Sequence, residues 1–312
     1  MWLPWVGGCG DASAGSVHSE AIALERAGDP LKVRVTWADG DGPMPVIVFS
    51  HGLGGSGDNY QPLARAWAEH GFLVVQPTHP DSLAEASSEE RRALIVSRTP
   101  TLESIASWDE RPGEVALVLD HLDRVVAQAG APADRVDAEH VGIGGHSFGA
   151  HTSMLCGGVT HAGSTRFAEP RADAILLMSP QGTGGGLTER SYATLTAPAM
   201  VVTGSEDRGM GGQAPDWRLE PYRGLGSPDK WLLYLEGGTH ALGGVSGLRF
   251  RADEELLPGV LEATTLFWEA NLRGDAGARA RLDQGRLDEG GPRLQLTRGA
   301  TAASPPGTGG PR

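Results

Sequence analysis

Apolar residues in this chain cluster into short uninterrupted runs, and longer stretches of mixed polarity separate them. The runs are Val46-Ile47-Val48-Phe49, Phe72-Leu73-Val74-Val75, Val141-Gly142-Ile143-Gly144, Ala174-Ile175-Leu176-Leu177-Met178, Ala199-Met200-Val201-Val202 and Trp231-Leu232-Leu233-Tyr234-Leu235. None alternates with polar residues, which is the pattern of strands covered on both faces. Between them lie segments at helical spacing. Over residues 59–70, Leu63, Ala66 and Trp67 share one side. Residues 112–128 predict the clearest helix, with Val115, Leu119, Leu122, Val125 and Val126 on one face and Pro112 suited to its first turn. A last helix is predicted over 254–272. Upstream, Ala21-Ile22-Ala23-Leu24 and Val33-Arg34-Val35-Thr36-Trp37 flank Gly28-Asp29-Pro30 and predict an antiparallel pair. Strands alternating with helices predict an α/β fold, a mostly parallel central sheet with helices on both faces.

With 312 residues, 39% of them apolar, the chain can bury a large core. Acidic residues outnumber basic ones and leave a net charge of −13, which disfavours nucleic acid and anionic membranes as partners. A small neutral substrate is untouched by that argument. No apolar run reaches the ~18 residues of a membrane-spanning helix. The two cysteines, Cys9 and Cys156, indicate no disulfide framework, and Cys156 is expected to be a buried thiol.

Val6-Gly7-Gly8-Cys9 resembles a bacterial lipobox, which makes Cys9 a candidate lipid anchor. The five residues ahead of it are short for a hydrophobic region and carry no basic residue. A cell-envelope lipoprotein and a cytoplasmic protein therefore both stay open. Residues 1–19 are set apart as an N-terminal segment, 20–298 as the folded domain, and 299–312, rich in Gly, Pro, Ser, Thr and Ala, as a disordered tail. Two connections, 82–111 and 204–230, are too long for simple turns and are expected to form lids or pocket walls. Trp108 and Trp217 within them are candidate substrate-pocket residues.

Chemistry concentrates at Gly145-His146-Ser147-Phe148-Gly149, between a buried strand and the start of a helix. A strand, a G-x-S-x-G turn and a helix make a nucleophile elbow, and Ser147 is the expected nucleophile. A serine hydroxyl needs a base, usually an imidazole oriented by a carboxylate. His240, in the glycine-rich loop Gly237-Gly238-Thr239-His240 after the last strand, follows in the order serine, acid, histidine. His161 precedes the acid candidates and breaks that order. Among the acids, Asp207 fits the G-x-x-D spacing after its strand, with Glu206 and Asp216 as alternatives.

An oxyanion would need backbone donors, expected from Phe148, just after the nucleophile, and from Leu53 in Ser50-His51-Gly52-Leu53-Gly54-Gly55. No G-x-x-x-x-G-K-[ST] phosphate loop is present. His79 and Asp81 lack a third ligand at useful spacing, and His146 and His151 share no helical face. No metal or cofactor is expected.

Four segments carry a family resemblance: Phe49-Ser50-His51-Gly52, Gln76-Pro77-Thr78-His79-Pro80-Asp81, Gly145 to Ala150, and Leu176-Leu177-Met178-Ser179-Pro180-Gln181-Gly182. With Phe267-Trp268 through Asp275, they resemble the α/β-hydrolase superfamily and, within it, the predicted dienelactone-hydrolase branch. That branch is similar to platelet-activating-factor acetylhydrolases and more distantly to cutinase-like enzymes. The resemblance implies a serine carboxylic ester hydrolase acting on short-chain or small esters through Ser147, His240 and Asp207. True dienelactone hydrolases carry a cysteine where Ser147 stands. Cutinase-like enzymes carry an aromatic where Leu53 stands and a stacking tryptophan that nothing near Gln181 matches, which weighs against polyester activity. A peptidase or acyltransferase would share the same residues, but about 30 residues before the core leave little room for the N-terminal domain such peptidases commonly add. A non-catalytic binding protein on this scaffold would be expected to have lost a position that here is filled.

Overall fold

The computed structural model describes residues 15–84, 108–247 and 252–299. Cys9, most of the N-terminal segment, the first long connection apart from its ends, and the tail beyond residue 299 lie outside the described residues.

The described residues form a nine-stranded sheet: β1 (Val17–Leu24), β2 (Leu31–Ala38), β3 (Met44–Ser50), β4 (Leu73–Pro77), β5 (Val136–His146), β6 (Ala172–Met178), β7 (Ala199–Glu206), β8 (Lys230–Thr239) and β9 (Leu294–Arg298). Their spatial order is β1-β2-β4-β3-β5-β6-β7-β8-β9. β1 and β2 pair antiparallel, as the Gly-Asp-Pro turn predicts, and β2 runs antiparallel to β4. From β4 through β8 every pairing is parallel, and β9 closes the far edge antiparallel to β8. This is the mixed, mostly parallel sheet of the α/β-hydrolase fold.

The uninterrupted apolar runs are uninterrupted because both faces are covered. Val46 and Val48 of β3 enter one core, while Ile47 and Phe49 enter the other, as a side-chain period of two requires. The first core is closed by helices α2 (Arg111–Asp120), α3 (Leu122–Ala129) and α4 (Phe148–Cys156). The second is closed by α1 (Gln61–Glu69), α6 (Leu257–Leu272) and α7 (Ala276–Asp283), with Trp67 and Trp268 edge to face at 5.9 Å. Gly142 in β5 makes room for that tryptophan, since a Cβ there would lie 2.6 Å from the Trp268 ring.

Three sequence expectations are corrected. The single helix over 112–128 is two, α2 and α3, broken at His121, whose φ of −123° leaves the helical range. Its apolar face stays buried across the break, so the periodicity carries no mark of it. The helix expected from residue 59 begins at Gln61, because Tyr60 holds the left-handed φ of 65°. The last helix begins at Leu257 rather than near 254, with Pro258 in its first turn. The second long connection folds into a 3₁₀ turn (Pro215–Leu219) and a short helix, α5 (Glu220–Gly224). Among the described residues no helix is long and apolar enough to cross a membrane.

Candidate active site

The elbow follows from two glycines. A Cβ on Gly149 would overlap the carbonyl oxygen of Ser50, and one on Gly145 would overlap the backbone of Gly149. Without side chains at both positions, β5 runs into α4 hard against the end of β3. Ser147 at the apex takes φ 57° and ψ −116°, a conformation costly for a residue with a Cβ. Its N–H donates to Met178 O at 2.8 Å, and its carbonyl accepts from Gln181 Nε2 at 3.0 Å. The strained apex is thereby held by β6 on one side and by the loop after β6 on the other.

Three side chains meet there. His240 Nε2 lies 2.9 Å from Ser147 Oγ, and His240 Nδ1 lies 2.8 Å from Asp207 Oδ1. They come from the carboxyl ends of β5, β7 and β8, the end of an open parallel sheet where sites form. A glycine again permits the approach: a Cβ on Gly204 would overlap the backbone of Gly238, so β7 closes on the end of β8 only because Gly204 is bare. Of the alternative acids, Glu206 is exposed, and Asp216 is exposed and paired with Arg223. His161 is elsewhere, its Nε2 on Gly185 O at 2.8 Å.

Asp207 is fully buried, and both of its carboxylate oxygens are engaged. Oδ2 accepts from Ser179 Oγ and, at 2.9 Å, from Thr203 Oγ1. Oδ1 faces both His240 and Arg218, whose Nε is 3.3 Å away. Burial alone would raise the Asp207 pKa. The hydrogen bond from His240, the Arg218 charge and the Ser179 hydroxyl outweigh it and hold the carboxyl at about 2. An ionised carboxylate only accepts, so His240 Nδ1 carries the proton and Nε2 presents its lone pair to the serine hydroxyl. The His240 side chain is 37% exposed, so it can be reached from outside.

The loop after β3 lies against the elbow. Gly52 N–H donates to the Tyr60 hydroxyl at 3.1 Å, and Gly54 N–H to Asp81 Oδ2 at 3.3 Å. The N–H groups of Leu53 and Phe148 have no acceptor among the described residues. Behind the loop stands a buried polar cluster. Arg111 binds Asp81 through two nitrogens at 2.8 and 2.6 Å, donates to His51 O at 2.7 Å, and lies 4.4 Å over the Phe148 ring. His79 is held between Glu114 at 2.6 Å and Ser50 Oγ at 3.0 Å. Burial and the Arg111 charge push His51 and His79 well below the usual histidine range. Burial raises Glu114, while Arg111 overrides burial to lower Asp81. His79 and Asp81 are thus engaged by protein partners, and among the described residues no cluster is built to hold a metal ion.

The two tryptophans are half-buried. Trp108 packs 4.4 Å from His161 and 5.8 Å from Phe167, in an aromatic group behind the elbow helix. Trp217 donates to Thr183 O at 2.9 Å and stacks under the Arg218 guanidinium. Four residues shape the site in roles that the sequence did not announce: Arg218, Ser179, Thr203 and Tyr60. His146, weighed only as a metal ligand, bonds Tyr60 at 2.9 Å and the His240 carbonyl at 2.8 Å.

Two comparisons bear on this arrangement. The family model of platelet-activating factor acetylhydrolase, isoform II, matches residues 22–99, which include the His51–Gly54 loop and stop short of Ser147. A 128-residue stretch is 28% identical to the mouse (Mus musculus) protein named sn-1-specific diacylglycerol lipase ABHD11, covering 36% of this chain and 41% of that protein. Neither match singles out a dienelactone-hydrolase or cutinase-like branch. Taken with the strand order, they make the chain an α/β-hydrolase-superfamily domain related to platelet-activating factor acetylhydrolase isoform II and to ABHD11-like esterases and lipases.

Proposed function

We propose that the chain is a serine carboxylic ester hydrolase working on short-chain or small esters, with Ser147 as nucleophile, His240 as base and Asp207 as acid partner. The single observation that carries this reading is the in-line set of two bonds, 2.9 Å from Ser147 Oγ to His240 Nε2 and 2.8 Å from Nδ1 to Asp207. The two matched relatives, whose names both describe ester hydrolysis, support the choice of ester over amide.

Ser147 Oγ adds to the ester carbonyl as its proton passes to His240 Nε2. Asp207, ionised and held by hydrogen bonds from Ser179, Thr203 and His240, stabilises the imidazolium. The developing oxyanion takes the N–H groups of Leu53 and Phe148, the second at a helix N-terminus. Gly52 is not a donor in this scheme, since Tyr60 occupies its N–H. His240 then protonates the departing alcohol, and a water activated by the same imidazole cleaves the acyl-enzyme. The finer kinship with the predicted dienelactone-hydrolase branch, and pocket roles for Trp108 and Trp217, belong to this proposal and rest on the sequence segments.

The test is hydrolysis of p-nitrophenyl esters from acetate to laurate by wild type and Ser147→Ala. Turnover in wild type that falls about 10³-fold or more in the variant is the expected result. A folded wild type inactive on the whole series would instead favour a binding scaffold.

A further inference from the structure

We infer that Arg218 is a positioning residue of the Ser147–His240–Asp207 group, a fixed cation that shares the Asp207 carboxylate with the imidazole and keeps His240 a free base at lower pH. The inference rests on the catalytic reading of those three residues.

Arg218 is 2% exposed, an unusual place for a guanidinium. The 3₁₀ turn Pro215–Leu219 carries it inward, and backbone carbonyls fix its fork. Nη1 donates to Ser179 O at 2.9 Å and to Pro180 O at 3.1 Å, and Nη2 to Arg208 O at 3.3 Å. So anchored, Nε stands 3.3 Å from Asp207 Oδ1, yet it makes no aligned hydrogen bond. Toward the carboxylate Arg218 therefore acts as a charge more than as a donor. Nη2 is also 3.4 Å from His240 Nδ1.

Among the described residues the groups facing His240 are few. From β7 comes the Asp207 carboxylate, and from the 3₁₀ turn the Arg218 guanidinium. From β5 come Ser147 and His146, whose ring centroid is 4.8 Å from that of His240. His146 is neutral, since burial and the His240 charge hold it at about 3. Ser179 and Thr203 offer uncharged hydroxyls to Asp207. Glu206 and Arg208, beside Asp207 in the chain, are exposed. One anion and one cation thus dominate, and they act oppositely on an imidazolium: Asp207 favours it, Arg218 disfavours it.

The experiment follows the second-order rate of Ser147 modification by an alkyl fluorophosphonate, from about pH 5 to 9, in the full chain. This probe reads the Ser147–His240 pair without needing the natural substrate. In Arg218→Gln the acid limb should move to higher pH by about one unit or more, so that labelling well below the limb slows about tenfold. Arg218→Lys, which keeps the charge, should return the limb to the wild-type pH even with a lower plateau. An unmoved limb in Arg218→Gln, whatever its plateau, overturns the inference and leaves Arg218 a loop anchor. If Arg218→Gln does not fold by circular dichroism, Arg218→Lys decides: a wild-type limb supports the role, and a limb raised by a full unit overturns it. A folded wild type that is not labelled at Ser147 at any pH overturns the catalytic reading itself, and this inference with it.

Discussion

The Tyr60 hydroxyl and His146 Nδ1 lie 2.9 Å apart, a bond that ties the loop after β3 to the end of β5 and, through the other nitrogen of His146, to the loop after β8. Its direction follows from proton counting. His146 Nε2 meets the His240 carbonyl at 2.8 Å, and a carbonyl only accepts, so Nε2 bears the proton. Burial keeps the ring neutral, at about 3, so Nδ1 is a bare acceptor. Tyr60 must then donate to it, and its oxygen accepts from Gly52 N–H at 3.1 Å. Tyr60→Phe strands a buried donor and a buried acceptor together. It should lower stability by about 1–3 kcal/mol in urea denaturation, and turnover should fall more than KM rises. A variant as stable and as active as wild type would show that the two loops hold their places without the link.

The elbow glycines give a sharper contrast. Gly149→Ala drives a Cβ into the Ser50 carbonyl, backbone against backbone, with no side chain free to move aside. Soluble yield and hydrolysis should both collapse. Gly113, exposed in the first turn of α2 with nothing within 4 Å of its would-be Cβ, is the control. There alanine should stabilise by about 0.5 kcal/mol through helix propensity, read as a small rise in melting temperature. Equal behaviour of the two variants would contradict the packing argument for the elbow.

Much of this was legible in the chain because the determinants are local. Apolar runs announced strands β3 to β8, and Gly145, Ser147 and Gly149 announced a turn whose constraint spans five residues. His240 and Asp207 were reachable through chain order and strand ends. Arg218, Tyr60 and Ser179 were not, because their roles arise only across the sheet: Arg218 reaches Asp207 from a 3₁₀ turn, and Tyr60 meets His146 86 residues away. The break at His121 was invisible because the buried face runs through it unchanged. β9 reads as a short polar-apolar segment, and its strand character comes from pairing with β8.

His151 should make stability fall in mild acid. Among the described residues both its ring nitrogens are buried without a partner, between Phe148, Trp108 and His161. Burial, with the His161 and Arg111 charges, lowers it to about 3. A folded pKa below the unfolded one means the unfolded chain binds the proton first as pH falls. The stabilisation is therefore whole above about pH 6.5 and is lost progressively down to the folded value of about 3. His146 has the same sign and range, and His51 and His79 the same sign. Melting temperature should drop between pH 7 and pH 5, before most carboxylates titrate. His151→Phe, which keeps a flat ring beside Phe148, should melt higher at pH 7 and with a shallower pH slope. An unchanged slope would mean that His151 finds a proton-accepting partner in solution.

The Asp81–Arg111 pair makes the strongest case for non-additivity. Arg111 is fully buried, and its charge is met by two short bonds to one carboxylate. Asp81→Asn keeps the shape but leaves a buried cation uncompensated, a loss of about 3–5 kcal/mol. It also loosens the Gly54 N–H that Asp81 accepts and, through Arg111, the His51 carbonyl. Because that loop holds Leu53, hydrolysis should fall beyond what unfolding explains, measured at a temperature where the variant is fully folded. Removing the cation as well, in Asp81→Asn/Arg111→Met, should recover part of the stability, since no buried charge then stands alone. A double variant less stable than Asp81→Asn by the full cost of Arg111→Met would mean the two side chains act independently, and that the loop is held by Arg111's bond to His51 rather than by the ion pair.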